Sequence, residues 1–457
     1  MKRFIVYGFA LLFGVCLLSC DESDGGKGKQ MKPDEQKSYL ENVIIEFTQK
    51  TSSSDFLDLK GFAMDLAEIY EDYNWSKVEN NMEAGLDSCS VLTDEDSRTY
   101  SYSNWTDYYY YYYYDVTLTL SNFTGHYTAS NGTWRYTAAD DLQFDFQDAE
   151  GKNCVLKLTK SGKETTLRLP ASENRRYSDY DTDYSGSTPY YYDYYYYVYF
   201  NFLLTLPETI KVSLTRDGSP VATATVSPSL SGLTKDGYFD IGKSSLNSSA
   251  EITLNNGYRL NYSCVSAANS KFSSGMSVSN SSGELISYTI SANPTGLPSI
   301  VLSDDMDEDD VLEDLEDDER ANINNFSVSV SVLNKAQIIG TISDVRSLIY
   351  LIDETNDYLE NETKFKKKIA EINKMIDLGL YYDGSKNKQA SFQFEPFCEV
   401  YENYNGRREE YWRVEPVMVF SDGTKMSCEA FFDEDDFEEA INALDRWARR
   451  YERFFND

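Results

Sequence analysis

Seven consecutive tyrosines, Tyr108 to Tyr114, and a second cluster at Tyr190 to Tyr192, Tyr194 to Tyr197 and Tyr199 dominate the chemistry this chain can offer. Exposed phenol rings pack on the faces of sugars and other flat apolar groups, and their hydroxyls exchange hydrogen bonds. Neighbouring strand residues point to opposite sides, so Tyr109, Tyr111 and Tyr113 form one row and Tyr110, Tyr112 and Tyr114 the other. A glycan platform would use one row, here Tyr109, Tyr111 and Tyr113 together with Tyr191, Tyr195 and Tyr197. Two plainer readings stand beside it: alternate rings face a core, or the runs are low-complexity insertions. Acid–base candidates are weaker. His126 is the sole histidine, which removes two-histidine zinc sites and the HExxH helix, and no GxSxG elbow, P-loop or dinucleotide fingerprint occurs. A strand histidine without a catalytic role is the expectation for it. Asp305, Asp307, Asp309, Leu312 and Glu316 have the spacing of a calcium loop, but Asp310 stands where its sharp turn needs glycine. Asp179, Asp181 and Asp183 repeat the alternation near Gly186 and carry no more weight. No catalytic residue, metal ligand or cofactor follows from any of these, and the reading favours a non-enzymatic protein.

One cysteine carries a separate chemistry. Lys2 and Arg3 precede an apolar run from Phe4 to Leu18, shorter than the roughly 20 residues a spanning helix needs, and Leu17-Leu18-Ser19-Cys20 closes it. The segment resembles a bacterial lipoprotein signal, which implies cleavage after residue 19 and lipidation of Cys20. Leu18 is bulkier than that pattern usually has. Acyl chains would then be the anchor, more than one being needed for stable attachment. Asp21 to Lys29 is polar and glycine-rich, a flexible spacer within a tether of residues 20–33. Acidic residues just after the cysteine resemble surface-export signals of Bacteroidota lipoproteins, so the expected place is the outer membrane, lipid-anchored and facing outward. Cys89, Cys154, Cys264, Cys398 and Cys428 remain, with no CxxC spacing. Cys154 and Cys264 lie in strand-like alternation and read as buried free thiols.

Charge narrows the partners further. The chain carries a formal −34, and loss of Lys2 and Arg3 makes the mature protein more negative still. Phosphate backbones are repelled, so nucleic acid is excluded as a partner. The expected partners are the membrane, through the anchor, and a glycan or an apolar ligand.

The positioning elements follow from periodicity. Asp34 to Lys50 reads as an amphipathic helix, with Ser38 and Glu41 in capping-box spacing, and Asp55 to Tyr73 as a second. Alternation then marks strands at Val116 to Ser121, Leu142 to Gln147, Cys154 to Leu158, Thr165 to Leu169, Ile210 to Leu214 and on to Ile290. Turn pairs at Asn131-Gly132, Ser161-Gly162, Asp217-Gly218, Asn256-Gly257 and Ser282-Gly283 favour antiparallel hairpins over parallel crossovers. Phe326 to Val332 is another strand, Asp344 to Leu378 is helical with a break near Asn356 to Asn361, and strands return at Ala390 to Val400, Glu410 to Phe420 and Lys425 to Phe431. The last helix, Asp433 to Phe455, spaces Phe437, Ile441, Leu444, Ala448, Tyr451 and Phe455 on one stripe. Acidic residues lead and arginines trail in it, which offsets the helix dipole. The hairpin Val417 to Phe431 is its expected partner.

The fold class is α+β: an extended, mostly antiparallel sheet with N-terminal, middle and C-terminal helices packed on it. Residues 34–302 form the helical start and β-rich region, 303–320 an acidic linker and 321–457 an α+β C-terminal region. Leu118-Thr119-Leu120-Ser121-Asn122-Phe123-Thr124-Gly125, Gly132-Thr133-Trp134, Asp141-Leu142-Gln143-Phe144 and Asp377-Leu378-Gly379-Leu380-Tyr381-Tyr382-Asp383-Gly384 are similar to stretches of uncharacterised surface lipoproteins of gut Bacteroidota. That resemblance implies a location and no activity. Three functions fit: a surface-tethered binding or structural lipoprotein, a carrier wrapping an apolar ligand in a curved sheet, and a carbohydrate-active hydrolase with paired carboxylates.

Overall fold

A computed structural model describes residues 30–52, 76–78, 80–81, 90–102, 105–148, 150–169, 172–183, 189–302, 322–402 and 407–455. The signal segment, Cys20, Cys89, the helix expected at Asp55 to Tyr73 and the acidic block with its calcium-like spacing lie outside them. The chain is α+β and mostly antiparallel. It forms two compact units that interleave in sequence: one holds the strands before residue 249 and residues 297–302, the other the N-terminal helix, residues 250–296 and everything described after 321. Residues 34–302 therefore contribute to both.

The first unit is organised on one strand. β1 (Ser90–Tyr102), β2 (Trp105–Leu118), β3 (Gly125–Ser130), β4 (Thr133–Thr137), β5 (Leu142–Gln147), β6 (Asn153–Arg168), β7 (Ser172–Asp183), β8 (Tyr190–Arg216) and β9 (Ser219–Ser231) make it up. β8 is 27 residues long. Its first half pairs with β2 and β7, its second with β6 and β9. Asn131-Gly132 and Asp217-Gly218 form the expected tight turns, each with both residues at positive φ. Ser161-Gly162 does not. Two separate strands were expected there, but β6 runs through as a single strand with a bulge between Ser161 and Glu164 opposite β8. Gly162 takes φ 88°, and a Cβ on it would stand 2.4 Å from Glu208. The glycine permits the bulge, and a bulge bends a strand without ending it. The strand expected to reach Ser121 likewise stops at Leu118, because Thr119 caps a 3-10 turn, Leu120–Phe123.

The preference for antiparallel pairing also has two exceptions. β2 pairs with β8 in parallel, and β3 with β5. Turn signals report only on neighbours in sequence, whereas β2 and β8 are joined by five intervening strands.

In the second unit, β11 (Arg259–Ala267), β12 (Lys271–Asn280), β13 (Gly283–Thr295), β14 (Asn322–Val332), β15 (Ala336–Asp344), β16 (Ile376–Tyr382), β17 (Ala390–Glu402), β18 (Arg408–Phe420) and β19 (Lys425–Ser427) form an antiparallel meander, preceded by β10 (Ser245–Leu254). Its helices are α1 (Pro33–Thr51), α2 (Val345–Asn356), α3 (Glu362–Met375) and α4 (Glu438–Phe455). α1 begins at Pro33 rather than at a Ser38 cap, since proline suits the first helical position and Glu35 accepts the Lys32 N–H at 3.1 Å. The break expected near Asn356 separates α2 from α3, and Asn361 caps α3 through the Lys364 N–H. Ile376 to Leu378, expected as helix, opens β16 instead. Lys425 to Phe431, expected as a strand, becomes one after three residues a helical turn capped by Ser427.

Leu40 and Val43 of α1 and Phe437 and Ala440 beside and within α4 bury against Leu285, Val328, Ile338, Leu380, Met418, Phe420 and Phe431. The apolar sheet face is thus filled by side chains. A smaller cluster joins Leu348 of α2 and Phe365, Ile369 and Ile372 of α3 to Ile342. α4 docks mainly on α1, with Phe47 and Trp447 rings 6.1 Å apart, and touches the expected hairpin through Phe431. Cys154 is buried as expected. Cys264 is half-exposed, a correction: β11 has no fully buried position on either face, so alternation there does not mark a core.

Candidate aromatic binding site

Parallel pairing in exact step places the two tyrosine runs side by side: Tyr108 faces Tyr194, Tyr109 faces Tyr195, Tyr110 faces Tyr196, Tyr111 faces Tyr197 and Tyr113 faces Tyr199. Parallel strands orient paired side chains alike, so the rings stack. The Tyr109–Tyr195 centroids lie 4.8 Å apart at 18°, Tyr111–Tyr197 5.2 Å at 15° and Tyr113–Tyr199 5.1 Å at 14°. On the opposite face Tyr108–Tyr194 and Tyr110–Tyr196 are each 5.1 Å apart, at 10° and 14°. Trp105 stacks on Tyr191 at 4.5 Å. All six residues singled out from the sequence, Tyr109, Tyr111, Tyr113, Tyr191, Tyr195 and Tyr197, therefore share one face.

Neither face is a core. Every ring from Tyr108 to Tyr114 and from Tyr191 to Tyr197 is partly exposed, so the expectation that alternate tyrosines bury is overturned. The four-strand order β1-β2-β8-β7 leaves both sides half wet. β1 gives the six-ring face a charged frame: Asp94 and Asp96 stand beside Tyr113 and Tyr111 in register, and the Arg98 guanidinium lies 5.3 Å from the Tyr111 centroid. Partial burial, with Asp96 nearby, pushes the Tyr113 phenol up from its ordinary value, and burial does the same to Tyr194. These phenols stay neutral donors at physiological pH.

The blade is fastened at one end. Asp115 accepts two hydrogen bonds from the Arg168 guanidinium, both 2.9 Å, and a third from Asn201 at 3.0 Å, its cross-strand partner on β8. Val116 beside it is 2% exposed. Sequence reasoning missed the pairing of the two clusters, although a signal existed. Asp107-Tyr108 and Asp193-Tyr194 open both runs, and Val116 and Phe202 close them at the same spacing.

Other polar groups are structural ties. His126 Nε2 lies 2.7 Å from Asp141 Oδ1, and Lys157 pairs with the same carboxylate. Lys157 foremost, then His126, holds the Asp141 carboxyl down to about 2. Asp240, 2% exposed, accepts the Gly242 N–H at 2.9 Å, the Ser299 O–H at 2.6 Å and Lys243 at 3.0 Å. Among the described residues each carboxyl with a resolved shift, Glu46, Asp141, Asp148, Glu150, Asp240, Asp344 and Asp422, moves downward. None has the raised value of a glycosidase acid. Among the described residues no three His, Cys, Asp or Glu side chains gather as metal ligands, Asp179, Asp181 and Asp183 included. Comparisons with known protein families, curated proteins and solved structures find no match for this chain.

Proposed function

We propose that the protein is a lipoprotein, anchored through Cys20 in the outer membrane and facing outward, whose β2–β8 face contacts a neutral glycan. The observation that carries this reading is the gathering of Tyr109, Tyr111, Tyr113, Tyr191, Tyr195 and Tyr197 into stacked, half-exposed pairs on one face. Paired rings present apolar edges and hydroxyls in rows two strand residues apart, about 7 Å. A polyhydroxylated ligand offers matching hydrogen bonds and C–H surface. Asp94, Asp96 and Asp193 frame the face with negative charge, which disfavours sulfated or uronic-acid glycans. The lipid anchor and acidic spacer supply the position from which such a face meets external polysaccharide.

The test is a glycan array probed with the full chain in detergent. Neutral glycans should be retained, and Tyr109, Tyr111 and Tyr113 replaced together by Ser should abolish retention. Replacing Tyr108, Tyr110 and Tyr112 instead should leave binding in place. Both triple variants should lower the melting temperature, since both rows are half-buried. Undiminished binding after loss of both rows would reject the platform.

A further inference from the structure

Phenol rings held in contact can also react with one another. One-electron oxidation of a tyrosine removes a hydrogen atom from its hydroxyl, and two neighbouring phenoxyl radicals combine at the ring carbons ortho to oxygen. That coupling needs two rings in contact that an oxidant can reach. Tyr110 and Tyr196, Tyr111 and Tyr197, and Tyr113 and Tyr199 lie 5.1, 5.2 and 5.1 Å apart between centroids and within 15° of parallel. In-step parallel strands give both partners the same reach, so the rings lie side by side along the whole pair of strands. Entry is available at both margins. Tyr100, 46% exposed, meets Tyr109 at 5.5 Å, and Tyr180, 54% exposed, meets Tyr191 at 6.2 Å.

We propose that β2 and β8 form an oxidative modification site, at which a peroxide-driven one-electron oxidant joins facing tyrosines as dityrosine and stitches the two strands together. Each ring gives up its hydroxyl hydrogen, and the two hydrogens reduce one peroxide to two waters. The radicals form one carbon–carbon bond. The displaced ortho protons then move to the oxygens, which restores both aromatic rings and both hydroxyls. The product has lost two hydrogens per link. It joins segments far apart in sequence, and closing so long a loop restrains the unfolded chain. Nothing here depends on glycan recognition, so either idea can fail alone.

The experiment treats the dilute full chain, in detergent, with a peroxidase and hydrogen peroxide. Dityrosine fluorescence should appear at monomer mobility, with intact mass lower by two hydrogens per link. Trypsin should release a joined pair of peptides, Thr99 to Arg135 with Tyr177 to Lys211. In urea that pair should fall by about tenfold or more, because folding supplies the proximity. Changing all of Tyr108 to Tyr114 to Phe keeps the stacked rings but removes the reactive hydroxyls, and should abolish the joined pair. Should that variant fail to fold, the urea comparison decides alone. An equal yield in urea, links only between molecules, or no dityrosine in the native protein would overturn the proposal.

Discussion

Asp141 sits between Lys157 and His126 and shows how a single side chain can be legible in kind but not in company. His126 was readable as a strand histidine from its isolation in the sequence, yet the Asp141 and Lys157 partners come from β5 packing between β3 and β6, which no local pattern reports. Lys157 and His126 hold the Asp141 carboxyl below its ordinary 3.8, at about 2. A folded-state value depressed in this way contributes stability above the ordinary carboxylate range, lost as pH falls through the folded value. Asp141→Asn should therefore melt at a lower temperature than wild type near neutrality. The gap should close between 3.8 and about 2, and a gap independent of pH would show that the ion pairs contribute nothing. The six tyrosines were legible in the same partial sense. Their alternation fixed which ones share a face, while their partners across β2 and β8 required the fold.

Elements with a sustained period were the most readable. Phe437, Ile441 and Leu444 follow the helical spacing of α4, and Phe437 and Leu444 are 6% and 7% exposed. Leu444→Ala should cost about 2–5 kcal/mol by chemical denaturation, since the site is buried against packed neighbours. A loss of a few tenths would mean that α4 is free of the body. The expected hairpin packs in the same core, through Phe431, but the larger partner, α1, was not legible because a stripe states only that an apolar surface is needed. Ala440 and Ala443 are small enough to let α1 approach closely, and that fit is a property of both helices. The meander was legible for a similar reason: Ser and Thr alternate with Val and Ile through β13 and β14, the two-residue period of a strand with two unlike faces. β6 reads as two strands in the sequence because a glycine looks alike in a turn and in a bulge.

At the scale of the whole molecule, attachment and assembly obey different parts of the chain. If acyl groups on Cys20 are the anchor, Cys20→Ser should leave a protein that no longer partitions into the detergent phase of a cloud-point extraction, and unchanged partitioning would refute it. The interleaved units were not legible, because charge and composition mark linkers but not which distant strands pair. That gap has a last consequence at the tyrosine blade. A run of seven identical residues is a ruler without numbers: sliding β2 by two positions along β8 keeps every ring on its face and, in one direction, still leaves Tyr194 to Tyr197 opposite tyrosines. At one end Asp107 stands opposite Asp193, a like-charge pair that rewards such a slide. The other end opposes it, since Asp115 can meet Arg168 and Asn201 in only one setting. Asp115 is thus the zero mark of the scale. Asp115→Ala should split the amide NMR signals of β2 and β8 into sets from more than one alignment, whereas a single unshifted set would mean that the homopolymer finds its place without a mark.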